Sequence, residues 1–255
     1  MATPAVPPAP APPAPERKTP EEKRNLEGAS RLALGGWFGL LAGLVTIGIP
    51  LLVLEIGVYF PSSFLSLDSG LLQISGTLVL VGSILYILCL FFYRRGFSNL
   101  RKISPVFGSA TMLCNIGSVG FILLLVAAAI LEGTATSVFG CVHGSPSHAL
   151  SCLQSGQPLG AYTALVGFAF AWVGGIGIVV GLSLAAGHFG RGSMGLGAII
   201  YLVFLIVLLI PLVEFAIQVP GIQYILILLP ILAIAAPVLV LVGARASARA
   251  VREAG

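Results

Sequence analysis

A membrane-spanning α-helix needs about 20 predominantly apolar residues in a row. This sequence contains six such runs, at 32–60, 70–93, 107–131, 160–186, 195–219 and 221–244. No other feature constrains the fold as tightly. It predicts an all-α chain, a polytopic transmembrane bundle of six spans. The last two runs are separated only by Pro220 and Gly221. One helix through both would far exceed a bilayer, and Pro-Gly is a strong turn signal, so a hairpin is expected there. Composition agrees: 57% of residues are hydrophobic and 9% charged, against about 25% charged in soluble domains. That leaves too little polar surface to cover a water-soluble globule. A nucleic-acid partner is excluded on the same ground, because it would need basic residues gathered on one folded face. Here they form short clusters between apolar runs.

Those clusters set the direction of threading. Arg17, Lys18, Lys23, Arg24 and Arg31 precede the first run. Arg94, Arg95, Arg101 and Lys102 lie between the second and third, Arg191 between the fourth and fifth, and Arg245, Arg249 and Arg252 after the sixth. These are all 13 lysines and arginines, and six spans place every one on the same side. The positive-inside rule then predicts a cell-membrane protein with both termini in the cytoplasm. Arg94, Arg95, Arg101, Lys102, Arg245, Arg249 and Arg252 are candidate contacts for lipid headgroups. Either they snorkel and anchor the topology, or they bind anionic lipids specifically.

Residues 1–30 read as a disordered, proline-rich and charged cytoplasmic tail. The first twenty contain eight prolines, which lack an N–H and favour polyproline II over a packed core. The charged segment 21–31 reads as a short helix at the membrane surface. Residues 31–245 form the expected transmembrane domain with an external loop at 132–160, and 246–255 a short basic tail that prolongs the sixth helix.

Two runs end alike, in EIGVYFP at 55–61 and EFAIQVP at 214–220. Pro61 and Pro220 stop the helices at the outer interface, which places Glu55 and Glu214 about 9 Å below. They are either shallow interfacial acids or, facing the bundle, a site for a cation or proton. Pro50, Pro211, Pro230 and Pro237 lie within runs and are candidate kinks. FGLLAGLVTIG (38–48) and FGSATMLCNIG (107–117) share a spacing that suggests three parallel two-helix repeats. In the fourth run, Gly177 and Gly181 belong to a small-residue stripe suited to close helix contact, within the fold or in a homo-oligomer.

The loop at 132–160 holds Cys141, His143, His148 and Cys152. Outside the cytoplasm thiols oxidise, and a Cys141–Cys152 disulfide would stabilise by roughly 3 kcal/mol. The alternative is a metal site formed by all four residues, although their spacing matches no common zinc module. Cys89 and Cys114 read as inert small hydrophobes within spans. No catalytic motif emerges, so neither enzymatic activity nor a cofactor is expected.

The stretch YRRGFSNLRKISPVFGSATMLCNIGSVGFILLL (93–125) resembles an archaeal family of multi-pass membrane proteins known as a domain of unknown function (DUF973-like). The cues are GF-x2-L after the second span and a glycine-spaced third span with IG. AGHFGRGSMGLGAIIYL (186–202) is similar to that family's later short cytoplasmic loop. The six-span layout agrees over residues 30–245. The resemblance implies no activity, cofactor or site residues, because the family has none established. Two functions fit the residues: a scaffold, assembly or lipid-organising protein, and a small ion or proton-coupled transporter using Glu55 and Glu214.

The outer loop yields a direct expectation. Without reductant, alkylation of Cys141 and Cys152 should be blocked together. Labelling that appears only after chelation would instead show the metal site.

Overall fold

The computed structural model describes residues 19–45, 68–132, 158–217 and 228–253. Every element among them is helical: α1 (Pro20–Gly43), α2 (Asp68–Arg101), α3 (Phe107–Glu132), α4 (Pro158–Phe189), α5 (Gly192–Ile217) and α6 (Leu228–Glu253). Four of them, α3 to α6, contain stretches long and apolar enough to cross a membrane: Phe107–Ala127, Tyr162–Phe189, Gly192–Leu209 and Leu228–Glu253. Their outward faces are apolar too. Met112 is 66% exposed and Ile199 60%, a placement that suits lipid rather than water. Helix length and surface together mark the chain as a membrane protein.

Successive helices pack against each other in order, and α6 returns to α1, so the six close into a ring. Neighbours run antiparallel. On α1 and α2, Gly28 meets Leu100 while Gly39 meets Cys89. On α5 and α6, Gly243 meets Met194 while Gly197 meets Val240 and Ala236. The alternation gathers the described lysines and arginines at one end. There Arg24 donates to Lys102 O at 3.4 Å, and Arg191 donates to Ala246 O at 3.5 Å.

Lipid supplies no hydrophobic force between helices, so association depends on close packing. Here glycine permits it. α3 and α4 cross with Gly117 directly on Gly174, and a side chain at either would collide with the other's backbone. Gly177 lies against Leu113 and Cys114, and Gly181 receives the ring of Phe97. The small-residue stripe of α4 is therefore used within the chain, against α3 and α2. At the ring closure, Pro237 lacks an N–H and so frees the carbonyl four residues back, that of Ala233. Gly43 of α1 approaches this carbonyl so closely that a β-carbon there would stand 2.8 Å from it. Pro237 is thus seated in a glycine notch and α6 continues through it.

Two expectations change. The charged segment 21–31 is not a separate surface helix but the first part of α1. Thr19 caps it: Glu22 N donates to Thr19 Oγ1 at 3.3 Å, and Thr19 N donates to Glu22 Oε2 at 2.8 Å. Pro20 sits at the first helical position, where its missing N–H costs nothing. This capping box starts the helix well before the apolar run, and Gly28, Ala29 and Leu32 are already buried. The paired FG motifs are also not equivalent. Phe107 opens α3, whereas Phe38 lies deep within α1, stacked on Phe92 at 5.1 Å.

The basic half of the ring is filled. Tyr93, Phe97 and Phe107 stack in sequence at 6.0 and 6.3 Å. Leu32, Leu182, Met194 and Val240 pack around them, with Cys89 and Cys114 buried as small hydrophobes. At the α4–α5 turn, Gly190 adopts φ 61°, a conformation that favours glycine. Arg191 N donates to Ala186 O at 3.0 Å to close that turn.

The α3–α4 crossing can be tested. Gly174→Val should lower stability by ~1–3 kcal/mol through overpacking. Gly187→Ala, with nothing near the new methyl, should be neutral or slightly stabilising. Thermal denaturation in detergent would compare the two.

Candidate functional site

Beyond the filled half, α2 to α5 line an apolar cavity of about 240 Å³. Helical periodicity builds its walls. Residues at i, i+3, i+4 and i+7 share a face, and Ser83, Tyr86 and Leu90 bring one face of α2 inward. Phe168, Trp172 and Gly175 do the same from α4, and Tyr201, Phe204, Leu205 and Leu208 from α5. Phe121 and Leu124 of α3 complete the wall. Leu90 and Ile178, both also part of the packed core, form its floor.

Few polar atoms reach this space. Trp172 Nε1 is already engaged, donating to Leu205 O at 3.1 Å across the α4–α5 contact. Ser83 is partnered as well. Tyr86 stacks on Phe121 at 5.7 Å, and Tyr201 lies 5.8 Å from Phe204. The hydroxyls of Tyr86 and Tyr201 form no hydrogen bond among the described residues. Both tyrosines are only partly buried, and among the described residues no buried side-chain nitrogen or oxygen lacks a partner, so these hydroxyls reach the cavity space itself. The cavity therefore offers mostly hydrocarbon contact and two free O–H groups. It suits an elongated apolar guest carrying one or two oxygen acceptors, and it is poorly suited to a bare ion.

Glu55 lies outside the described residues, as do Cys141, His143, His148 and Cys152. The backbone of Glu214 is in the last turn of α5. The described part of the first span, α1, packs on α2 and α6, and α6 stands between it and α5. Among the described residues no three His, Cys, Asp or Glu side chains gather in a way that could hold a metal.

The basic candidates are placed. Arg94, Arg95, Arg101, Lys102, Arg245, Arg249 and Arg252 are all exposed. Two sit over aromatic faces: Arg95 over Phe91 at 5.7 Å and Arg245 over Trp37 at 5.5 Å. Arg31 lies over Phe92 at 5.8 Å. These contacts hold the stems against the apolar belt and leave the charge at its edge, as snorkelling requires.

Sequence reasoning missed Tyr86, Trp172 and Tyr201. Their helix-face spacing was available, but spans that are apolar all round do not reveal which aromatic face points inward. No family model matches the chain, and neither a curated protein nor a solved structure does.

If Glu55 and Glu214 are shallow interfacial acids, the double replacement Glu55→Gln and Glu214→Gln is expected to leave the melting temperature unchanged. It should also leave cation binding, read by calorimetry between pH 5 and 8, as in the parent. Selective loss of pH-dependent binding would reinstate the carboxylate site.

Proposed function

We propose that this chain is a non-enzymatic, six-span membrane protein, with both termini and the basic end of the bundle in the cytoplasm, that organises lipid by holding one apolar chain among its helices. The apolar cavity with the tyrosines Tyr86 and Tyr201 in its lining carries this reading. An acyl or isoprenoid chain would replace its own lipid contacts with Phe121, Phe168 and Phe204. A carbonyl or hydroxyl on the guest would accept from Tyr86 or Tyr201. The guest class follows from the lining: a hydrophilic solute would lose hydration without recovering it.

The orientation rests on the one-sided distribution of lysine and arginine. The cell membrane is the compartment in which that rule has its usual meaning. In the same scheme the loop at 132–160 faces outward, where a Cys141–Cys152 bridge would persist. An ion or proton-coupled transporter remains the runner-up from sequence, but no described residue places a charged group within the cavity.

The chain's two tryptophans allow a direct test. Trp37→Phe leaves Trp172, at the cavity wall, as the sole reporter. A brominated fatty acid added to the detergent-solubilised protein should quench it saturably. Ala171→Leu, which enlarges another residue lining this cavity, should abolish saturable quenching while the protein still melts cooperatively. Quenching that rises linearly with concentration and is the same in both proteins would show bulk partitioning and end the proposal. Impermeant thiol labelling on intact cells should modify a cysteine introduced near residue 145 after reduction and spare one near residue 100.

A further inference from the structure

A second cavity, of about 320 Å³, opens at the basic end among α1, α4, the α4–α5 turn and α6. Asn25, His188, Arg191 and Ser247 supply its polar lining, and Phe189 and Val251 an apolar wall. Three helices place these groups by features already described. The capping box starts α1 early enough to carry Asn25 beyond the apolar run. The Gly190 turn aims Arg191 at α6, and the extension of α6 past its apolar stretch brings up Ser247.

The balance of donors and acceptors identifies the ligand. His188 Nε2 donates to Asn25 Oδ1 at 2.9 Å. That bond occupies the amide oxygen and leaves the Asn25 Nδ2 protons without a partner among the described residues. Arg191 is half-buried, and its one side-chain hydrogen bond, to Ala246 O, is long at 3.5 Å. No carboxylate lines the cleft, and Arg191 has no acidic partner among the described residues. Ser247 is itself satisfied, donating to Gly243 O at 2.9 Å, so it adds no competing demand. The result is a partly enclosed site with a planar cationic fork, a free amide donor and no anion. Arginine forks bind phosphate oxygens in pairs. Arg191 also directly precedes the N-terminus of α5, whose dipole favours negative charge, although the C-terminus of α4 beside it offsets part of that field.

The position of the cleft selects the source of the phosphate. The apolar stretches of α4 and α5 end at Phe189 and begin at Gly192, so Arg191 lies at the edge of the belt, where headgroups stand. Phe189 and Val251 offer hydrocarbon contact on the belt side. We propose that this cleft binds the phosphate of an anionic phospholipid headgroup, with Arg191 and Asn25 as donors and His188 as the residue that orients Asn25. This rests on the membrane reading above but not on the inner cavity, and it concerns residues distinct from the exposed arginines.

Full-length protein in detergent would be titrated with short-chain phosphatidic acid, phosphatidylcholine of the same chain length and inorganic phosphate, with affinity read by thermophoresis. Phosphatidic acid should bind saturably, phosphatidylcholine much more weakly, and inorganic phosphate should not compete at millimolar concentration. Arg191→Gln should weaken phosphatidic acid by about tenfold or more. Asn25→Asp, which sets a carboxylate in the cleft, should weaken it at least as much. Arg249→Gln, at the same end but outside the cleft, should change it little. Equal losses from Arg191→Gln and Arg249→Gln would show diffuse surface attraction and overturn the site. Equal binding of inorganic phosphate would overturn the lipid assignment. Should Arg191→Gln fail to fold, Asn25→Asp alone decides: unchanged affinity in that variant refutes the proposal. Saturable quenching of Trp172 by the brominated fatty acid, measured in the same variants, should persist. Its behaviour separates failure of this site from failure of the inner cavity.

Discussion

Glycine-mediated close approach is the contact on which the rest of this structure depends. In a bilayer, apolar side chains gain little by leaving lipid for a neighbouring helix. What remains is dispersion, which fades steeply with distance. Most described interfaces in the ring answer that demand with a missing side chain, whereas α2 and α3 meet through stacked rings such as Phe97 on Phe107. Gly117 and Gly174 let α3 and α4 touch backbone to backbone, and Gly36 and Gly43 let α1 receive the Pro237 region of α6. The large side chains displaced from these contacts have two destinations. Some turn outward to lipid, as Met112 and Ile199 do. Others turn inward, where they fill one half of the ring and line an opening in the other.

That inner division matters for function. The stacked rings of Tyr93, Phe97 and Phe107 seal the basic half, so the apolar cavity does not continue as a described passage to that end. A closed floor of this kind suits holding a guest better than passing one through. The few polar atoms near the cavity tell the same story. Trp172 spends its donor on Leu205 O and thereby ties α4 to α5. Tyr86 and Tyr201 keep theirs, and they stand on helices that do not neighbour each other in the ring.

Much of the fold was legible in the sequence. The boundary of α3 at Phe107 and the break around Gly190–Arg191 follow from apolar run length and turn chemistry, and they agree with the helices observed. The start of α1 was legible too, in Thr19-Pro20-Glu21-Glu22, but the charges after it drew the reading toward the membrane surface. Helix signals and burial signals pointed different ways there, and tertiary packing against Leu100 decided the outcome. The sites were harder to see. In α4 nearly every position is apolar, so periodicity cannot separate Trp172, which faces the ring, from Leu165, which faces out. The basic-end cleft draws Asn25, Arg191 and Ser247 from segments far apart in sequence. No local spacing encodes it, and Arg191 stood out only as a topology marker.

The closure of the ring by α6 on α1 has a consequence for biogenesis. The ribosome delivers helices in order, and five of the six contacts join helices that emerge one after another. The remaining contact joins the first helix of the ring to the last. Until α6 arrives, α1 presents Gly36 and Gly43 to lipid with no partner, and the ring has an open flank. A lipid or chaperone that shields this notched face would protect the half-made protein from pairing with a stray helix. Docking of Pro237 into the notch would then act as the final latch of assembly.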